Sequence, residues 1–280
     1  MELTLGVTLA VLGAALAHAS WNAMVKSGTD PMLDTALVAL GSSAVVLPFF
    51  AVVPPPESAA WPWLVASAVI HLGYFTALAG AYRAGDLSHG YPIMRGTAPL
   101  LVALSAYAWF GETPGLGMWV GVLLICAGVL WLGLAGFDWR RSRAATAWAL
   151  ANAAIIAAYT LVDAAGVRAA GGAARYVVWS FFFMGLPFVL MVLALRRNAF
   201  GEHLARHWRR GLAGGACVVT SYGVALWAMT RAPVAAVAAL RETAVVFGAL
   251  IGVWLLKEGH VRHRLAGAAA VFAGVVALKL

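Results

Sequence analysis

Two arginines stand inside long apolar stretches of this sequence, where charged side chains are rare. Arg95 and Arg241 each begin an Arg-x-Thr-Ala pattern. A charge inside an apolar helix is costly, so it normally faces a cavity or another polar group. Two guanidinium groups can bind a carboxylate or phosphate by planar two-point donation. We therefore predict that Arg95 and Arg241 bind an anion. Alternatively, Arg241 pairs with a carboxylate such as Asp163 and only joins helices.

Glu242 directly follows Arg241. Neighbouring side chains on a helix point about 100° apart, so these two do not form a natural intrahelical pair. Glu242 either meets another helix or carries a proton, because burial raises the proton affinity of a carboxylate. We predict it as a proton-coupling candidate.

The first apolar stretch carries a polar stripe. His18, Asn22 and Lys26 recur at every fourth residue and share one helix face, with Trp21 beside them. The stripe predicts that His18, Trp21 and Asn22 line a binding cavity. Hydrogen bonding between helices is the alternative, since polar side chains also serve that purpose in membranes.

Histidine and tyrosine residues in other apolar stretches give further candidates. His71 and Tyr74 lie one helical turn apart, Tyr222 repeats Tyr74 in the second half of the chain, and Tyr159 lies near Asp163. These rings could stack on a solute or donate hydrogen bonds to it, or simply pack. The histidines lack the carboxylate or cysteine spacing of a metal site, so we predict no metal and no cofactor.

Composition decides which kind of protein positions these residues. The 280 residues are 63% hydrophobic and only 11% charged, with a mean hydropathy of +0.87, against roughly 25% charged residues in soluble domains. The basic residues behind the net charge of +8 form short clusters with tryptophan, as in Trp208-Arg209-Arg210. Such clusters indicate the membrane surface rather than nucleic acid. Cys126 and Cys217 lie in apolar stretches and indicate packing.

Spans of about 20 apolar residues cross a bilayer as helices, because only helices satisfy their own backbone there. Residues 17–19 (Ala-His-Ala) imitate a signal-peptidase site, but Glu2 and the missing positive charge before the apolar stretch argue for a retained helix. The sequence predicts ten spans, near residues 3–25, 32–53, 61–82, 88–110, 115–136, 145–167, 176–195, 210–230, 234–256 and 262–279.

The two halves of the chain repeat each other. Tyr74 followed nine residues later by Arg83 matches Tyr222 followed nine later by Arg231. After a two-residue gap the arginine patterns align, and further matches follow without gaps: Glu112 with Glu258, Gly121 with Gly267, and Gly128 with Gly274. We predict duplicated units at residues 1–137 and 144–280. Because five helices per unit is an odd number, the second unit would be inverted, an arrangement that places binding sites between halves.

The chain resembles the drug/metabolite transporter superfamily, specifically its EamA type. The likeness is carried by residues 21–22 (Trp-Asn) with Lys26, by residues 110–112 (Phe-Gly-Glu), by residues 127–130 (Ala-Gly-Val-Leu), and by their partners Glu258 and residues 273–276 (Ala-Gly-Val-Val). The resemblance implies an all-α membrane protein of ten transmembrane helices in two inverted five-helix repeats. It also implies export or exchange of small metabolites through a central cavity. The chain departs from the family in Lys257 before Glu258 and in residues 18–20 (His-Ala-Ser) before Trp21.

The function predicted is secondary transport of a small anionic or zwitterionic metabolite, such as an amino acid, by alternating access. The alternative is a flippase for lipid or lipid-linked substrates. An enzyme is not expected, because no nucleophile with a base or metal set lies within the spans. The predicted partners are the solute and the lipid bilayer of the inner cell membrane, which the chain crosses many times. The oligomeric state stays open, and a monomer would suffice.

The orientation in the membrane receives two opposite predictions. Thirteen Lys and Arg residues fall in loops after odd-numbered spans, and four fall on the opposite side: Arg168, Arg175, Arg231 and Lys279. The positive-inside rule makes the thirteen-residue side cytoplasmic and both termini external. The resemblance implies both termini inside. We follow the charge count, because it is read from this chain.

Overall fold

The computed structural model describes residues 2–84, 87–133, 143–256 and 261–279, and these ranges contain helices and no strand. Lys257 and Glu258 lie outside them, and so does the side chain of Lys26. The α-helices in chain order are α1 (Leu5–Lys26), α2 (Pro31–Val46), α3 (Trp61–Ala84), α4 (Leu87–Phe110), α5 (Leu116–Gly133), α6 (Arg143–Ala169), α7 (Ala173–Met229), α8 (Val234–Arg241), α9 (Thr243–Leu256) and α10 (Val261–Ala277). Short 3-10 helices cover Leu47–Ala51 and Ser58–Ala60.

The all-helical membrane character predicted from composition is confirmed. Six stretches of the described chain are long and apolar enough to cross a bilayer: Leu5–Val25, Pro31–Ala51, Tyr91–Phe110, Leu116–Gly133, Arg143–Ala169 and Ala173–Met229. A shorter apolar helix covers Leu265–Ala277. The count of ten spans remains a prediction.

The seventh and eighth predicted spans lie on one helical run rather than on two helices with a loop between them. Helix α7 has 57 residues, about 85 Å at 1.5 Å per residue, which far exceeds the roughly 30 Å of a hydrocarbon core. The run is broken at Arg196, where φ is −144° and ψ is 43°. The residues 197–209, which are rich in charge and were predicted as a loop, are therefore helical.

The predicted ninth span is also interrupted. Helix α8 ends at Arg241, α9 begins at Thr243, and Glu242 lies between them. The Glu242 N–H donates to the Ala239 carbonyl at 3.0 Å, and the Val245 N–H donates to the Glu242 carbonyl at 2.9 Å. Both bonds reach back three residues instead of four, and a short 3-10 turn within a helix often marks a functional hinge.

One end of the bundle is held together by charged side chains near the start of α2. The Asp30 carboxylate accepts hydrogen bonds from the N–H groups of Met32 and Leu33 and caps α2, while Pro31 fits the first helical position. Arg196 Nη1 lies 2.7 Å from Asp30 Oδ2. Burial alone would raise the pKa of Asp30, but these N–H donors and Arg196 together hold it below its ordinary value.

The opposite end is joined through Glu112, in the connection between α4 and α5. Its carboxylate oxygens accept from the Val234 N–H at 3.1 and 3.0 Å, and Arg168 Nη2 lies 3.1 Å from Oε1. The Arg168 Nε–H also donates to the Met229 carbonyl at 3.0 Å. Glu112 thereby satisfies an N–H at the start of α8, which no intrahelical acceptor could reach.

Glycines allow close contact of α5 with α10. A Cβ built on Gly121 would lie 2.9 Å from the carbonyl oxygen of Gly274, and one on Gly128 would lie 2.8 Å from that of Gly267. Small residues of this kind let helix backbones approach closely in membranes. The same holds where α2 packs on α7, since Cβ atoms at Gly41 and Gly211 would meet the facing backbone.

Candidate functional site

Arg95 and Glu242 form a buried ion pair between α4 and the junction of α8 with α9. Arg95 Nε lies 2.8 Å from Glu242 Oε2, and the two side chains are only 8% and 5% exposed. The two atoms are close but not aligned as a hydrogen bond, and Arg95 Nη2 also has no acceptor among the described residues. The guanidinium is thus neutralised in charge, yet it retains unused donors. The pairing places Glu242 against another helix, one of the two alternatives predicted for it.

Arg241 is placed differently, although its sequence pattern is the same. Its guanidinium carbon lies 4.7 Å from the centroid of the Tyr222 ring, a cation–π distance. Within the described chain it has no carboxylate partner. The alternative that Arg241 pairs with Asp163 is therefore wrong, and its side chain keeps partial exposure.

Asp163 is fully buried and is held by two tyrosines instead. The Tyr176 hydroxyl donates to Oδ1 at 2.8 Å, and the Tyr222 hydroxyl donates to Oδ2. These bonds join α6 to both parts of α7. Tyr222 consequently has two roles, because its hydroxyl donates to Asp163 while its ring face contacts the guanidinium group of Arg241.

The predicted aromatic residues gather around Tyr159 of α6. The His71 ring centroid lies 4.4 Å from that of Tyr159, and the Tyr74 and Tyr222 rings approach it edge-on at 6.1 and 6.2 Å. His71 is fixed through Nδ1 by the Ser67 backbone carbonyl at 2.8 Å. We call these four rings the aromatic wall, to which the helices α3, α6 and α7 contribute: His71, Tyr74, Tyr159 and Tyr222.

Helix α1 contributes His18, which lies within electrostatic range of both Arg95 and Arg241. Trp21 packs edge-on against His18, with centroids 5.3 Å apart, and its Nε1–H donates to His18 Nδ1 at 3.4 Å. Asn22 is directed elsewhere, because its amide donates to the His18 backbone carbonyl at 2.8 Å. The structure therefore brings His18 to the arginines but gives Asn22 a bond within its own helix.

We call the following residues the central cluster: His18, His71, Tyr74, Arg95, Tyr159, Asp163, Tyr222, Arg241 and Glu242. Sequence reasoning missed Tyr176, the second donor to Asp163, and Tyr91, which lies near Arg95 and Glu242. The sequence could have identified Tyr91, because Tyr91 lies one helical turn before Arg95 on the same helix. The sequence could not have identified Tyr176, because its hydrogen bond to Asp163 depends on how α6 and α7 pack.

The central cluster combines an anion-binding group with flat apolar surfaces. Arg241 supplies a guanidinium without a carboxylate partner, and the aromatic wall supplies ring faces and hydroxyl groups. Arg95 and Glu242 cancel in charge, and Asp163 is satisfied by hydroxyl donors. Within the described ranges no three His, Cys, Asp or Glu side chains are grouped as metal ligands. The arrangement suits a small solute that carries a carboxylate or phosphate.

Comparisons with known proteins identify relatives of this chain. The model described as "EamA-like transporter family" matches twice, over residues 4–134 and 143–280. A solved crystal structure matches with a TM-score of 0.78 and 18% sequence identity, covering 98% of this chain and 97% of that chain. At this identity the likeness shows a shared fold alone. No curated protein matched the sequence.

Proposed function

We propose, from the premise that this chain belongs to the EamA-like transporter family and is a multi-pass membrane transporter, that it carries a small anionic or zwitterionic metabolite such as an amino acid. Transport is secondary and proceeds by alternating access between two inverted five-helix repeats of a ten-span protein. The solute binds at the central cluster. The protein acts in the inner cell membrane as an exporter or exchanger, and one copy suffices for transport.

Two observations support the inverted repeats. The family model matches each half of the chain once. In the sequence alignment of the halves, Gly121 corresponds to Gly267 and Gly128 to Gly274, and the contacts between α5 and α10 pair Gly121 with Gly274 and Gly128 with Gly267. Exchanging the halves converts one contact into the other, as a two-fold axis between α5 and α10 requires. Rocking of one half against the other then provides alternating access.

The observation that carries the solute class is the placement of Arg241. Its guanidinium group has no carboxylate partner in the described chain and stays partly exposed beside the aromatic wall. A half-buried cation of this kind gains from a nearby counter-charge, and an anionic group on the solute supplies one. The aromatic wall alone would accept a neutral solute equally well. Arg241 is therefore the residue that favours an anionic solute over a neutral one.

A thermal-shift series on purified protein tests the proposal. We expect carboxylates and amino acids to raise the melting temperature of wild type, because a ligand at 100 times its Kd stabilises by about 2.7 kcal/mol. The Arg241→Gln variant should lose the shift. Benzoate with benzamide as its uncharged counterpart, inorganic phosphate and single amino acids form the series. Equal shifts from benzoate and benzamide, or shifts that persist in Arg241→Gln, would contradict the anion site.

A further inference from the structure

The two repeats differ at the position that follows each equivalent arginine. Arg95 is followed by Gly96, whereas Arg241 is followed by Glu242. A Cβ at Gly96 would lie 2.6 Å from the Leu130 side chain and 3.2 Å from the Cys126 carbonyl oxygen. The first repeat has no room there for a side chain. The carboxylate at this position therefore exists in the second repeat only.

This difference explains why the two arginines are unequal. Glu242 neutralises the arginine of the other repeat, Arg95, at 2.8 Å. A carboxylate at Gly96 would be needed to give Arg241 the equivalent partner. Arg95 is consequently paired with a carboxylate, whereas Arg241 has no carboxylate partner in the described chain.

The Glu242 carboxylate depends on Arg95. It is 4% exposed as a residue, and its Oε2 has no hydrogen-bond partner in the described chain, so Arg95 provides its nearest countercharge. A buried carboxylate that loses its counter-ion takes up a proton rather than remain charged. Release of Arg95 and protonation of Glu242 are therefore linked events.

We propose that an anionic solute at the central cluster displaces Glu242 from Arg95, and that Glu242 takes up one proton as it leaves. This inference rests on the proposed function and specifies its coupling. The solute carboxylate accepts the N–H groups of Arg95 and Arg241, the Arg95–Glu242 contact breaks, and a proton from water bonds to a Glu242 carboxylate oxygen. No other bond changes. One monoanion and one proton bind together, so the solute and the proton move in the same direction.

Other charged and titratable groups face this pair from the helices packed around it. They are His18 of α1, Tyr74 of α3, Tyr91 of α4, Cys126 of α5, Tyr159 of α6 and Arg241 of α8. Tyr222 of α7 lies beside Arg241 and is hydrogen-bonded to Asp163 of α6. His18 is the one among them whose residue type has an ordinary pKa near neutral pH. The test must therefore separate Glu242 from His18, which the amide variant of Glu242 does.

Calorimetric titration of the full chain in lipid nanodiscs with benzoate measures the coupling. Repeating the titration in buffers of different ionisation enthalpy gives the protons taken up per benzoate. We expect uptake of one proton per benzoate in wild type over the pH range in which Glu242 is charged in the free protein and protonated in the complex. Over that same range the Kd rises about tenfold per pH unit, as linkage requires for one proton. Benzamide, which has no charge to replace Glu242, should take up no proton.

The Glu242→Gln variant should bind benzoate with no proton uptake and a Kd independent of pH, and this outcome supports the proposal. Wild-type binding without proton uptake, or an unchanged pH slope in Glu242→Gln, overturns the coupling while leaving the anion site standing. Absence of benzoate binding in wild type contradicts the anion site itself and overturns both. The wild-type proton count needs no variant, so it tests the coupling even if Glu242→Gln fails to fold.

Discussion

Arg95 of the first half of the chain lies 2.8 Å from Glu242 of the second half, and both side chains are buried. Such a pair costs much to bury, and removing one partner leaves an uncompensated charge. We therefore expect Arg95→Ala to lower the free energy of unfolding by about 3 kcal/mol. The double variant Arg95→Leu/Glu242→Leu should be considerably more stable than Arg95→Ala, because it leaves no charge behind. Thermal unfolding in detergent measures both; a less stable double variant would show that the pair contributes more than mutual neutralisation.

Two substitutions of Tyr222 distinguish the contribution of its ring from that of its hydroxyl group at the central cluster. Tyr222→Phe keeps the ring beneath Arg241 and removes the bond to Asp163, so we expect a loss of stability of about 1–3 kcal/mol with solute affinity changed little. Tyr222→Leu also removes the cation–π contact, worth roughly 0.5–2 kcal/mol, and should weaken ligand binding by about 3- to 30-fold. Tyr176→Phe is the matched control, since Tyr176 also donates to Asp163 but has no contact with Arg241. Equal affinity in the Phe and Leu variants would argue against a role for the ring.

Glu112 offers a test of the tie between α8 and the end of α6. Glu112→Gln weakens both the Arg168 ion pair and the acceptor for the Val234 N–H, so we expect a loss of about 1–2 kcal/mol in unfolding free energy. Glu202→Gln provides the control, because Glu202 and Arg206 form a pair that is 71–73% exposed and exposed pairs contribute little. A similar melting temperature for the two variants would show that Glu112 serves only as a surface charge.

Gly128 tests the close approach of α5 and α10. A Cβ there would meet the Gly267 carbonyl oxygen at 2.8 Å, whereas a Cβ at Gly13 of α1 would meet nothing within 4 Å. We expect Gly128→Ala to destabilise by about 1–3 kcal/mol through overpacking. Gly13→Ala should be neutral or stabilising by up to about 1 kcal/mol, because alanine favours the helix. Unfolding of both variants under one condition makes the comparison, and equal stabilities would contradict the packing.

The contribution of Asp30 to the free energy of unfolding should depend on pH. Its pKa is lower in the folded protein than its ordinary value of 3.8, so its contribution is fully present above that value and is lost as pH falls through the folded pKa. Asp30→Asn still caps α2 but cannot pair with Arg196. We expect wild type to be slightly more stable than Asp30→Asn at neutral pH, with the difference shrinking below about pH 3.8 and vanishing once the pH falls below the folded pKa of Asp30. A difference that grew on acidification would have the wrong sign.

The charge count predicts that both termini of the chain lie on the external side of the membrane. On the described face that holds Asp30 and Arg196, Arg210 Nη2 also donates to Ser27 Oγ at 2.8 Å. At the other face Lys279 Nζ donates to the Leu3 carbonyl at 2.8 Å, which brings the two ends of the chain together. A phosphatase fused after Leu280 should be active on the external side of the membrane. A signal from a fluorescent protein that folds only in the cytoplasm would contradict this orientation.

The sequence predicted the helical membrane fold because long apolar stretches leave no other structure for a backbone in lipid. It also identified Arg95, Arg241 and Glu242, since charges are conspicuous in such stretches. It could not predict that the helix contact of Glu242 is made with Arg95, because that contact depends on how α4 packs against α8. The helical conformation of residues 197–209 was missed for a related reason. The charges there suggested a loop, whereas the helix propensity of Arg, Ala, Glu and Leu favoured a helix.

Uptake into proteoliposomes tests the central claim that Arg241 binds the anionic group of a transported solute. The solute is the labelled compound that gives the largest thermal shift with wild type, and Arg241→Lys and Arg241→Gln are compared at equal reconstitution. We predict that wild type accumulates it, that Arg241→Lys keeps part of the rate through its charge, and that Arg241→Gln has no uptake above empty liposomes although it remains folded. Uptake by folded Arg241→Gln at the wild-type rate would contradict the claim.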